Sequence, residues 1–95
     1  MTTRSQTTKT VIEQKLLKEL GAVHVAVEDE SWKHAGHAGA RMGGGHFAVD
    51  VVSAKFEGLN ALDRRRLVHQ ILHEEMQGAI HALTVRAFSP NEWRG

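Results

Sequence analysis

Two stretches of alternating hydrophobicity, "VHVAVED" from Val23 and "HFAVDVVS" from His46, limit this chain more than anything else in it. In the first, Val23, Val25 and Val27 share one face while His24, Ala26 and Glu28 share the other. In the second, Phe47, Val49 and Val51 point inward, against His46, Ala48 and Asp50. A period of two marks a strand with one buried face. The segment between them, "ESWKHAGHAGARMGGG", holds too much glycine for a helix. Consecutive strands with nothing helical between them are expected to pair as an antiparallel hairpin, here with an oversized loop.

Helices must cover the inward face. The spacing predicts one over residues 10–20, where Ile12, Leu16 and Leu20 form a stripe with Leu17 beside them. Thr10 and Glu13 have capping-box spacing, and Gly21 supplies the left-handed stop. Residues 1–9 are then expected as a flexible N-terminal tail ahead of a single domain over residues 10–95. A second helix is predicted over "LDRRRLVHQILHEEM", with Leu67, Val68, Ile71, Leu72 and Met76 on its apolar face. Arg66, Gln70, His73 and Gln77 line the opposite face, and Gly78 closes the element. "AIHALTVRAF" reads as a third strand, and Pro90 opens a short turn or helix, "PNEW". The order is α-β-β-α-β-α. It implies an α/β (more strictly α+β) domain with a three-stranded mixed sheet covered on one face by helices.

Composition excludes several classes. Twelve Lys and Arg against eleven Asp and Glu leave a net charge of +1, which by itself is no electrostatic footprint for DNA. The chain has no cysteine, so a disulfide framework, a zinc ribbon and a thiol nucleophile are all excluded within it. Any iron–sulfur cluster held here needs thiolates from another molecule. No serine or carboxylate pair is arranged as a nucleophile or acid–base couple, and a non-enzyme is expected. No apolar run approaches the roughly 20 residues that span a bilayer, and the acid-free, Thr-rich start "MTTRSQTTKT" lacks the apolar core of a signal peptide. The expected setting is the cytoplasm, away from membranes.

Seven histidines are the candidate chemistry. His34, His37 and His46 fall in or at the end of the glycine-rich loop, where Gly36, Gly39 and the run Gly43, Gly44, Gly45 would permit motion. On physics alone that loop is either a solvated connection or a lid that swings a ligand onto something carried by another protein. His81 shares the parity of Leu83 and Val85, which reads as a core histidine, yet it also starts its strand, which reads as the rim of the sheet. There a partly desolvated ring would stay neutral, as a metal ligand must. His69 and His73 stand one helical turn apart on the polar side and read as a solvated face. His24 and His46 are expected as outward-facing cross-strand neighbours without a role.

Taken in register, "EDESWKHAGH", "HFAVDVVSAKFEG", "RRRLVHQILHEEM" and "IHALTVRAFSPNEW" resemble the BolA family over residues 11–93. The resemblance implies a fold like the class II KH domain and a monothiol glutaredoxin as heterodimeric partner. It further implies a [2Fe-2S] cluster shared between the two proteins. The glutaredoxin and its bound glutathione supply thiolates and this chain supplies histidine, in iron–sulfur trafficking or iron and redox regulation. The family's shared histidine falls on His81, its loop ligand on His34, and His37 belongs to an "HAGH" variant of that loop. The isolated protein is then expected to be a monomer without a cluster of its own.

The same resemblance carries an alternative, because some members are regarded as DNA-binding transcriptional regulators. The arginines of "DRRRL" are its candidates, and they divide on the helical wheel. Arg64 falls near the apolar stripe, on the same side as Glu75, with which it is expected to pair. Arg65 and Arg66 are left as the nucleic-acid candidates. "GLNA", from Gly58 to Ala61, lacks the second glycine of a GXXG loop, which disfavours KH-type RNA binding. "GGGH" is followed by a strand and no Gly-Lys-Ser/Thr, so it is no phosphate cradle. Trp32 occupies a place where relatives carry smaller or more polar residues.

Overall fold

A computed structural model describes residues 4–30 and 45–93. Helix α1 spans Arg4–Leu20, strand β1 His24–Asp29 and strand β2 Gly45–Val52. A 3-10 turn at Ala54–Phe56 leads to helix α2, Ala61–Ile71, and a second 3-10 turn at Glu75–Gln77 leads to strand β3, Ile80–Phe88. The sheet order is β1-β2-β3, antiparallel between β1 and β2 and parallel between β2 and β3. The connection from β2 to β3 runs through α2. That is the crossover which parallel neighbours require.

Both helices pack on one face of this mixed sheet, α1 over β1 and α2 over β3. The core between the layers is apolar: Ile12, Leu16 and Leu20 from α1; Phe47, Val49 and Val51 from β2; Phe56; Val68 and Leu72 from α2; Ile80 and Leu83 from β3. Apart from Phe56 and Ile80, these are the inward positions that the alternation and the helical stripes predict. Leu17 is 38% exposed and Val23 71%, so both fall outside the core. Val23 precedes β1, and only its N–H joins the sheet, donating to Val52 O.

Three expectations are corrected at element ends. The helix begins at Arg4, six residues ahead of Thr10, so residues 4–9 are not a tail. No proline or glycine interrupts that segment, and Thr8 is buried one turn before Ile12, extending the stripe with a polar residue. The second helix stops at Ile71 rather than Met76. Beyond it the bonds tighten to the three-residue spacing of Gln77 N to Glu74 O and Gly78 N to Glu75 O, and the chain continues as a 3-10 turn. The final element is a turn, with the N–H groups of Glu92 and Trp93 both donating to Ser89 O. Gly21 does end α1 in the left-handed region, φ 55°, where a side chain is disfavoured.

The C-terminal end of the sheet is heavily braced. Ser53 is buried; its hydroxyl donates to Leu20 O at 2.7 Å and accepts from Lys55 N. Arg64 spans the layers, donating to Leu59 O (2.8 Å), to Ala87 O (3.2 Å) and to the Glu92 carboxylate. The expected partner, Glu75, instead holds Lys15 at 2.8 Å. Eleven helical residues span about 16 Å, so Arg64 and Glu75 cannot meet along one helix. Arg64 and the Ser89 N–H pull the Glu92 carboxyl down to about 2 from its ordinary 4.5. Trp93 stacks on His24 with centroids 4.9 Å apart and lies 5.1 Å from Phe88.

Candidate functional site

The opposite end of the sheet carries the irregularity that matters. Gly45 pairs with Ile80, but the next residue, His46, pairs with Ala82. One residue of β3, His81, is therefore extra, which is a β-bulge at the start of the strand. Simple alternation back from Leu83 would turn His81 inward and Ile80 outward. The bulge reverses both: Ile80 is 2% exposed and His81 is exposed. The core-histidine reading is thus corrected.

The stem of the long loop meets His81 at this end. Glu30 N donates to His46 O at 2.7 Å where the chain leaves the sheet, and Gly45 N donates to Ala79 O at 3.1 Å where it returns. Ala79 lies two residues before His81. The hydrogen bonds that close the loop therefore anchor it beside the bulge. His34 and His37, the expected loop ligands, lie outside the described residues, as does Trp32. His46 sits next to the bulge, its Nε2 3.8 Å from Glu30 Oε1. It joins the same end of the sheet as His81, which its position at the close of the loop makes readable only after the strands are paired.

The remaining histidines are elsewhere. His24 pairs with Val52 at the far end of the sheet and is not a neighbour of His46. His73 lies in the turn after α2, so it does not continue a helical face with His69. His69 is half-buried rather than solvated, with Nε2 enclosed and unpartnered among the described residues. Burial, reinforced by the charge of Arg65 one turn earlier, lowers its pKa and keeps the ring neutral near pH 7. Arg65 and Arg66 are exposed on α2, and Arg66 lies 3.9 Å from Asp63. No group of three His, Asp or Glu side chains among the described residues is arranged to hold a metal.

The helix-covered mixed sheet defines a small α+β class, and comparison gives the family. The model of the family described as "BolA-like protein" matches residues 16–92. The chain belongs to the BolA-like family. It is 44% identical over 82 residues to "Protein BOLA1, chloroplastic" of Arabidopsis thaliana, covering 83% of this chain and 51% of that one. With "BolA-like protein 1" of Mus musculus it shares 43% over 83 residues, covering 87% and 58%. The chain thus spans little more than half the length of these curated relatives. It is also 37% identical over 84 residues to "DNA-binding transcriptional regulator BolA" of Haemophilus influenzae, covering 88% and 79%. The solved structure of BolA1 from Arabidopsis thaliana superposes with a TM-score of 0.78 at 37% identity, covering 92% of this chain and 96% of that one.

Proposed function

We propose that this chain binds a monothiol glutaredoxin and donates histidine to a [2Fe-2S] cluster held between the two proteins. The observation that carries the reading is the bulge, which sets an exposed imidazole at the foot of the loop bearing two more. The donor chemistry fits: imidazole is a good ligand for iron, and a chain without cysteine leaves thiolate donation to the partner and its glutathione. When bound, the cluster supplies electron storage, and neutral nitrogen ligands raise its potential relative to thiolates. His81 contributes a fixed nitrogen from a hydrogen-bonded strand. His34, or His37 in its place, contributes the second from the loop.

The test is a titration of cluster-loaded monothiol glutaredoxin with this protein, followed by visible circular dichroism. A new spectrum is expected, lost in His81→Ala, weakened in His34→Ala and more labile when His34 and His37 are both removed. An unchanged spectrum on mixing would make the protein a scaffold that never touches the metal. A full spectrum from His81→Ala would move the ligand elsewhere.

A second reading, DNA binding, is favoured by the exposure of Arg65 and Arg66 on one helix and by the relative from Haemophilus influenzae. It expects salt-dependent affinity for duplex DNA that an Arg65→Ala, Arg66→Ala double variant loses.

A further inference from the structure

Backbone hydrogen bonds reveal which groups of β3 are left over. Along a strand, N–H and C=O of successive residues point to alternate sides. Phe88 O accepts from Ser53 N at 3.0 Å, so Phe88, Arg86 and Thr84 address β2. Ala87 O points the other way, where Arg64 Nη1 caps it. Leu83 and Val85 share the parity of Ala87, so their N–H and C=O groups face outward from the last strand of the sheet. A hollow of about 240 Å³ lies over this edge, lined by Arg65, Leu83, Thr84 and Val85. Arg65 is exposed and makes no ion pair or hydrogen bond with a described residue.

We propose that the free edge of β3 accepts an extended segment of a partner protein as a fourth strand, with a carboxylate of that segment paired to Arg65. Strand addition needs a row of donors and acceptors at two-residue spacing, and those of Leu83 and Val85 on this side have no partner among the described residues. Arg65, which has no ion-pair partner among the described residues, selects an acidic side chain of the incoming segment. A nucleic acid fits less well, since one guanidinium tracks no phosphate backbone and the chain is nearly neutral overall. A second copy fits less well too, because a two-fold pairing centred on Thr84 would face Arg65 with Arg65. The proposal is independent of the cluster, which belongs to His81 at the strand's start.

The test uses the full-length, metal-free protein and the peptide acetyl-Val-Thr-Glu-Val-Thr-amide, with its Gln-for-Glu counterpart, followed by amide NMR. Millimolar peptide is expected to shift the amides of Leu83 and Val85 and slow their hydrogen exchange, leaving those of Thr84 and Arg86 nearly unchanged. Arg65→Ala, or the Gln peptide, should weaken binding about fivefold, as an exposed charge pair would; Arg66→Ala should not. No response at Leu83 and Val85 would overturn the proposal. So would a response to a single-stranded oligonucleotide without one to peptide, or a dimer in sedimentation whose Leu83 and Val85 amides are already protected.

Discussion

The two ends of the sheet are built on opposite plans. At the Val52 and Phe88 end, side chains from four segments converge: Ser53 bonds to the end of α1, Arg64 to two carbonyls and Glu92, and Trp93 covers His24 and Phe88. At the Gly45 and Ile80 end, backbone bonds hold the loop stem, and the side chain displayed there, His81, faces water. Buried polar groups at the first end are satisfied by side chains whose own positions are fixed, which makes that end costly to alter. The second end spends no packing on its histidine. The exposed histidine thus stands about 20 Å, roughly the length of a six-residue strand, from the side chains that brace the sheet.

This contrast breaks first at Arg64. Arg64→Ala strips hydrogen bonds from Leu59 O, Ala87 O and Glu92 and should cost about 2–3 kcal/mol in urea unfolding, with no change in the loop-stem amides. Ser53→Ala should cost about 1–2 kcal/mol, because the buried carbonyl of Leu20 loses its donor. Acid should act on the same brace. The carboxyl of Glu92 is depressed in the fold, so its stabilisation is complete above 4.5 and is lost as pH falls towards about 2. Stability measured across that window should flatten in Glu92→Gln. The smallest effect belongs to the other end: His81→Ala should change stability by less than about 0.5 kcal/mol, since its ring is solvated. A large loss there would mean that the imidazole is part of the packing after all.

The strands and helical stripes were legible because their signals are local. Phe47, Val49 and Val51 alternate, and Val68 and Leu72 recur, without reference to anything distant in the chain. The start of α1 is not legible in the apolar pattern because Thr8, a polar residue, continues the stripe. The helical wheel pairs Arg64 with the wrong acid because it gives direction but not axial distance. The orientation of His81 was beyond periodicity altogether, since a bulge arises from pairing with residues 35 positions away. Its strand-start position points to the rim of the sheet and the family resemblance decides between rim and core, while the proposed roles of His34 and His37 rest on the resemblance.

The bulge also makes the site a matter of counting. From His46 onward β2 and β3 run in phase; before it they are one residue out of step, and that offset alone decides which of Ile80 and His81 meets water. A single residue inserted between Gly45 and His46 would bring the two chains back into step. It would turn the imidazole toward the helices and an isoleucine toward solvent while leaving every proposed ligand in the sequence. An insertion on the loop side of Gly45 would do neither. Spacing on the strand side of that glycine therefore sets which way the imidazole faces, so its orientation is written in the spacing of the chain as much as in the residues it carries.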